Sequence, residues 1–172
     1  MIQKVVTVCV IVFLFSQGIS NAKWFWQKED QYGTVTDDMY LTDKPAKESF
    51  AYKVYLSSYK DGFARIHYLI NLLRYSDYAF WRNNQYYTGE QAAQWLEYKL
   101  DVYGADVETV EGFIENIASY SQASGKPYCV LRPDGKKYRA KPLYYNELRR
   151  LARLDYEKKK KKTCDGAKPC KG

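Results

Sequence analysis

The stretch from residue 88 to residue 118, TGEQAAQWLEYKLDVYGADVETVEGFIENIA, decides the fold because it carries two helix signatures in succession. Thr88 and Gln91 have the spacing of a capping box, in which each side chain satisfies a backbone amide at the start of a helix. Thr109 occupies the corresponding position before the second apolar run. We therefore predict two amphipathic helices, the first ending at Gly104, each with one buried face.

The flanking sequence adds further elements on both sides. Upstream, apolar residues recur at the helical spacing in Ile66, Leu69, Ile70 and Leu73. Downstream, residues 128–131 and 137–140 are predicted to form two strands around the turn 133–135, and Pro142 suits the first turn of a final helix. The prediction is an α+β fold, a mainly helical single domain of about four helices plus a short β-hairpin.

Composition changes divide the chain into four segments. We assign residues 1–22 to a signal peptide, 23–62 to an aromatic and polar N-terminal extension, 63–154 to the helical α+β domain and 155–172 to a lysine-rich tail. Within the extension, residues 49–59 show an alternation typical of a strand but also tolerate a helix. The domain is long enough to bury a hydrophobic core.

The first 22 residues have the three parts of a secretory signal. Lys4 supplies the positive charge, residues 5–15 are apolar, and Ser20 and Ala22 are small residues at the positions that a signal peptidase reads. The alternative is an uncleaved membrane anchor with the aromatic residues 24–26 at the interface. The apolar run is shorter than the roughly 20 residues of a membrane-spanning helix. We therefore expect a periplasmic or secreted protein with no transmembrane span after cleavage.

Three cysteines remain after such cleavage. In an oxidising compartment Cys164 and Cys170 can pair across a short loop, which makes them a possible disulfide. Cys129 lies in an apolar stretch and is expected to be buried. Two nearby cysteines without a histidine do not make a zinc site, so no metal and no cofactor is predicted.

No residue pattern in the chain predicts catalysis. His67 is the only histidine, and no acidic neighbour in the sequence is placed to orient it as a general base. The serines at 119, 121 and 124 lack an adjacent base. We therefore assign no catalytic residue.

One set of polar residues is the best candidate for contact with a ligand or partner: Arg82, Asn83, Lys99, Glu111, Lys126 and Tyr128. In a functional interpretation these side chains converge on a small anion or a peptide. In a structural interpretation Arg82 pairs with a helix carboxylate, such as Glu90, and Asn83 shapes a turn. The structural interpretation is the more economical of the two.

The tail carries five consecutive cations, Lys158, Lys159, Lys160, Lys161 and Lys162, in a chain with a formal net charge of +7. Like charges at this density favour a solvated, frayed helix end or a disordered segment. The alternative is attachment to an anionic lipid or wall polymer, because lysines near such a surface contribute ~1 kcal/mol each. Nucleic acid is not an expected partner of an exported chain.

From about Arg65 to Leu151 the sequence resembles an uncharacterised bacterial family, the YfeK-like exported proteins built on a domain of unknown function. The segments that carry the resemblance are FWRN (80–83), TGEQAAQWL (88–96), TVEGFI (109–114), IAS (117–119) and SGKPY (124–128). The resemblance implies a location in the bacterial envelope and brings no reaction, ligand or partner. Relatives carry a histidine where this chain has Trp95, so no mechanism that uses that imidazole transfers.

Three hypotheses about function follow from these observations. The first is a non-enzymatic envelope protein that acts as a binding or interaction module. The second is a hydrolase or transferase acting on an envelope polymer. The third is a structural protein held at a surface by charge alone.

Overall fold

The computed structural model describes residues 32–58 and 62–166, with the side chains of 164–166 excepted. Residues from Thr34 onward belong to one compact unit. Five α-helices and a small antiparallel sheet make it up, which confirms the predicted mainly helical α+β domain. The predicted signal peptide, residues 1–22, lies outside the described residues.

The helices follow the predicted order, with one addition near the N-terminus. Their bounds are α1 Phe50–Ser57, α2 Gly62–Arg74, α3 Gly89–Tyr103, α4 Val110–Phe113 and α5 Ala140–Gly166. A π-helical turn, Ile114–Ala118, continues α4. The segment that tolerated either a strand or a helix is helical, because Ser49 caps α1 by accepting a hydrogen bond from the Tyr52 amide.

The sheet has four strands, β1 Ala79–Arg82, β2 Gln85–Tyr87, β3 Cys129–Leu131 and β4 Lys137–Arg139, in the order β2-β1-β3-β4. The predicted hairpin is β3–β4. From the sequence we predict a short extended or turn segment at residues 78–87, between α2 and α3, and in the structure it forms a second hairpin, β1–β2. In the register Phe80 pairs with both Tyr87 and Val130, which joins the two hairpins into one sheet.

Local signals in the sequence correspond to the observed helix ends. The capping box at Thr88 is present with both of its hydrogen bonds, and Gly104 ends α3. Thr109 caps α4 by accepting a hydrogen bond from the Gly112 amide. From the sequence we predict that Gly125 ends the helix that begins after Thr109, in a left-handed conformation. Its φ of 67° is left-handed, but the helix has already ended at Ala118, so Gly125 lies in a separate turn.

The buried core begins upstream of the predicted domain. Leu41 and Tyr55 are fully buried together with Leu69, Phe113 and Leu143 from the later helices. Residues before Phe63 therefore contribute to the same core as the helices that the periodicity identified. The predicted boundaries 63–154 stay a prediction about the proteolytically stable fragment.

A segment around residues 36–41 is anchored to α5 by two buried polar side chains. Asn146 Nδ2 donates hydrogen bonds to the carbonyl oxygens of Thr36 and Met39, each at 2.7 Å. Glu147 Oε1 accepts a hydrogen bond from the Leu41 amide at 3.0 Å. The segment forms no helix or strand, so its backbone N–H and C=O groups need other hydrogen-bond partners. Asn146 and Glu147 supply them.

The last helix continues well beyond the core. Leu151 and Leu154 are buried, whereas residues 156–163 are exposed and include the whole lysine run. Lys47 bonds to Glu157 at 2.9 Å, immediately before that run. Across the residues that the structure describes, every helix is too short or too polar to span a lipid bilayer.

Candidate functional site

A cavity of about 300 Å³ lies between α3 and the sheet. The side chains that define its chemistry are Phe80, Arg82, Gln91, Ala92, Trp95 and Tyr128. Most of the remaining lining is apolar or aromatic. Arg82 is the only lysine, arginine, aspartate or glutamate in the described lining. Among the described residues of the lining there is no aspartate, glutamate or histidine.

The sequence places these side chains through two simple periodicities. Arg82 lies two residues after Phe80 on β1, so both side chains lie on the same face of the sheet. Gln91, Trp95 and Lys99 are four residues apart on α3, so they lie along one face of that helix. The site forms where this sheet face and this helix face meet.

Gly89 fixes the position of α3 beside the end of α2. A Cβ atom at this position would lie 2.1 Å from the Leu73 carbonyl oxygen, far inside van der Waals contact. Only glycine therefore allows the start of α3 to approach the last turn of α2 this closely. The approach brings the Gln91–Trp95 face over the sheet.

Among the residues that the structure describes, Arg82 contacts an aromatic ring and forms no ion pair with a carboxylate. Its guanidinium carbon lies 3.9 Å from the centroid of the Trp95 ring and 5.9 Å from that of Tyr128. Its Nε is buried and has no hydrogen-bond partner among the described residues. Glu90, one acid available for the structural interpretation, bonds instead to Arg74 at 2.6 Å.

Lys99 is almost completely buried beside Arg82, with 1 % of its surface exposed. Its ammonium group donates hydrogen bonds to the carbonyl oxygens of Ile117 and, at 3.2 Å, Tyr120. These carbonyls belong to the end of the π-helical turn and the residues after it, where intrahelical partners are missing. Lys99 therefore caps that end from the neighbouring helix.

The electrostatic environment of this pair of cations is unusual. Burial, and then the charge of Arg82, lower the pKa of Lys99 to about 8. The lysine is still mostly protonated at pH 7, so two positive charges lie close together. No acidic side chain in the described cavity lining balances them.

Tyr128 connects the two cationic side chains to Trp95. Its hydroxyl oxygen is 3.3 Å from Trp95 Nε1 and 3.5 Å from Lys99 Nζ. Both of those groups are donors only, so the tyrosine oxygen acts as the acceptor of both hydrogen bonds. The hydroxyl proton is then left to donate, and in the described part of the chain it has no acceptor.

Asn83 and Lys126 lie in loops next to Arg82 and Tyr128. Asn83 and Asn84 both have positive φ, 48° and 66°, as a two-residue hairpin turn requires. The Asn83 amide also joins the turn at 121–125, donating to Ser121 Oγ at 3.2 Å and accepting from Ser124 Oγ at 2.6 Å. These contacts support the structural interpretation of Asn83, and the Lys126 side chain is exposed.

Glu111 lies apart from the other predicted site residues. It lines a second, separate pocket of about 260 Å³ together with Arg65, Tyr145 and Arg149. The structure thus brings together Arg82, Lys99 and Tyr128, places Asn83 and Lys126 in adjoining loops, and places Glu111 elsewhere.

Apart from Arg82 and Tyr128, the residues that line the cavity were not identified from the sequence. Trp95 was named only as a difference from relatives, although it contacts both Arg82 and Tyr128. The four-residue spacing of Gln91, Trp95 and Lys99 was the available signal. It indicated a shared helix face but not which surface that face would meet.

The cysteine and metal predictions have different outcomes. Cys129 is buried on β3, as expected. The side chain of Cys164 and all of Cys170 lie outside the described residues, so their pairing stays a prediction. Among the residues described, no group of three His, Cys, Asp or Glu side chains is arranged to hold a metal ion.

Comparison with known proteins identifies the family. Residues 61–152 match DUF5329, a family of unknown function, and because this match covers more than half of the chain, the protein belongs to that family. No curated protein and no solved structure matches the chain.

Proposed function

We propose that this member of the DUF5329 family is an exported bacterial envelope protein of the YfeK-like kind. In this proposal the domain is a non-enzymatic binding module that holds a small molecule in the cavity between α3 and the sheet. The observation that carries the proposal is the cavity itself. It is concave and mostly apolar with a few convergent polar groups, which is typical of small-ligand sites.

The chemistry of the lining favours binding over the alternative of a hydrolase or transferase acting on an envelope polymer. Hydrolysis and group transfer commonly use a general acid–base residue or a nucleophile beside a base. The described lining holds no carboxylate and no imidazole, and its polar side chains are arginine, glutamine and tyrosine together with the buried thiol of Cys129. Such a set suits the orientation of a bound ligand.

Binding is tested with a neutral fluorescent probe, N-phenyl-1-naphthylamine, added to the full mature chain. We expect saturable one-to-one binding, because the probe gains fluorescence in an apolar site. Ala92→Phe places a ring in the cavity and should weaken binding at least about tenfold. Ala105→Phe, the same change at an exposed turn position outside the cavity lining, is the matched control. Equal probe affinity in both variants would show that the cavity is not the binding site.

Export is supported by the three-part pattern of residues 1–22. The test is the intact mass of the protein recovered from a bacterial host after fractionation. We expect a chain that begins at Lys23 in the periplasmic or extracellular fraction. A chain that retains Met1 in the membrane fraction would support the membrane-anchor alternative.

A second candidate function, attachment to an anionic surface, is favoured by the exposed lysine run. Residues 158–162 lie on consecutive positions of α5, and successive helical residues point about 100° apart. The five lysines therefore surround the helix with positive charge. An anionic lipid or wall polymer is the matching partner, since an exposed run of this kind is attracted to a charged surface.

A further inference from the structure

We infer that the ligand class of the cavity is a small apolar carboxylic acid, whose carboxylate binds between the Arg82 guanidinium and the Tyr128 hydroxyl. The inference rests on the proposed binding function and narrows it to one kind of molecule. It is argued from three features of the cavity wall: an arginine without a carboxylate, a tyrosine with an unused proton, and the apolar remainder of the lining.

Arg82 is the first feature. The Arg82 side chain is partly exposed, but its Nε is buried, and a buried N–H group without a hydrogen-bond partner is costly. Here the guanidinium contacts the Trp95 ring, its buried Nε has no partner, and no ion pair of Arg82 occurs among the described residues. A planar guanidinium offers two parallel N–H groups that match a carboxylate. The missing partner is therefore expected to be an anion from outside the chain.

Tyr128 is the second feature. Trp95 and Lys99 both direct donors at its oxygen, so the hydroxyl proton of this cavity-lining residue remains available to donate to a ligand. Arg82 lies against both rings, so the unused N–H and O–H groups belong to neighbouring side chains. Two donors on one wall of a cavity select a ligand group that only accepts hydrogen bonds. An ionised carboxylate meets that requirement, whereas a carboxamide meets it in part.

The remaining lining sets the rest of the ligand. Phe80, Ala92 and the Trp95 ring provide apolar surface, and the volume of about 300 Å³ is at the lower end of the usual range for ligand pockets. This space suits a single ring or a short aliphatic chain. A cationic ligand is disfavoured, because Arg82 and Lys99 lie at this side of the cavity without an acidic counterpart.

The test compares 4-phenylbutyrate with its neutral isostere 4-phenylbutanamide by isothermal titration calorimetry on the full mature chain. We expect the acid to bind at least about tenfold more tightly than the amide, since hydrogen bonds to charged groups are the stronger ones. Arg82→Gln should remove this preference by weakening the acid alone. Arg139→Gln, at an exposed arginine on β4, should leave the preference unchanged.

A second variant, Tyr128→Phe, keeps the inference testable if Arg82→Gln fails to fold, as judged from circular dichroism. It should weaken binding of the acid about tenfold and change binding of the amide little. Equal affinities for acid and amide, or a preference that survives both variants, would overturn the carboxylate inference. Binding of the neutral probe that still depends on Ala92 would in that case leave the proposed function intact. If neither the acid nor the neutral probe binds, both fail.

Discussion

Glu147 provides the most quantitative prediction, because its carboxyl group is fully buried on α5. Burial raises its pKa from 4.5 to about 7, against the opposing effects of Arg150 and of the Leu41 amide. A shift of this size corresponds to roughly 3 kcal/mol, since one pKa unit is about 1.4 kcal/mol. At a pH between these two pKa values, the folded protein therefore holds a proton on Glu147 that the unfolded chain has already released.

The sign of the pH dependence follows from this difference in bound protons. Between about pH 4.5 and pH 7 the folded state binds more protons at Glu147 than the unfolded state. Stability contributed by this group is therefore present below pH 4.5 and is lost as the pH rises toward 7. Glu147→Gln removes the titration, and the glutamine oxygen can still accept the hydrogen bond from the Leu41 amide.

The assay is urea unfolding followed by circular dichroism between pH 4.5 and pH 8.5. We subtract the free energy of unfolding of Glu147→Gln from that of wild type. This difference should fall by roughly 3 kcal/mol as the pH rises across this range. Because both proteins contain the same other carboxyl groups, the pH dependence that those groups cause cancels in this difference. Glu108→Gln, at an exposed acid, is the control and should give a flat difference.

A pH-independent difference between wild type and Glu147→Gln would refute this reasoning. Arg150 Nη2 lies 2.6 Å from Glu147 Oε2. A flat difference would mean that this ion pair keeps the carboxylate charged across the range despite its burial. The arginine would then be the dominant influence on the buried acid.

Three further predictions concern the packing of the domain and its tail. Gly89→Ala should destabilise by roughly 2 kcal/mol or more in urea unfolding, because its Cβ would collide with the Leu73 carbonyl oxygen. Gly125→Ala is the control, because its added Cβ would meet no other residue beyond its chain neighbours within 4 Å. It should lower the free energy of unfolding by only about 1 kcal/mol, the cost of the left-handed backbone. Equal losses in the two variants would contradict the close approach of α3 to α2. Phe113→Ala, at a fully buried ring, should cost about 3–5 kcal/mol in the same assay, and a cost near that of Gly125→Ala would contradict its place in the core. Deleting residues 158–172 should change the melting temperature by no more than about 2 °C. In the intact protein, retention on anionic vesicles should fall steeply between about 50 and 300 mM salt; retention that ignores both the deletion and the salt would exclude electrostatic attachment.

Much of the local structure was predictable from short stretches of sequence. The capping box at Thr88, the cap at Thr109 and the turn at 133–135 depend on groups within a few residues of one another. The second hairpin was harder to predict, because its turn is Asn83-Asn84 and lacks the glycine that usually marks such a turn. Helix α1 was ambiguous because its short apolar pattern fits a helix or a strand equally well.

The candidate site was predictable only in part. Arg82, Lys99 and Tyr128 were singled out as polar residues in well-defined segments, and they do come together. Glu111 was grouped with them, yet α4 places it beside a different pocket. Sequence spacing within one helix says which residues share a face. It does not say which face of another element they will contact.

The sequence by itself determined the fold class, the order of most helices and strands, and the presence of an exposed cationic run, because each depends on local periodicity, capping or charge density. Only the tertiary structure decided that a lysine on α3 caps the end of another helix, and that Glu147 on α5 holds the segment before α1. It also decided that a tyrosine before β3 meets an arginine on β1 and a tryptophan on α3 around one cavity. These outcomes depend on how distant elements pack, and that packing is set by the shape of the whole core and by close approaches such as Gly89 against Leu73.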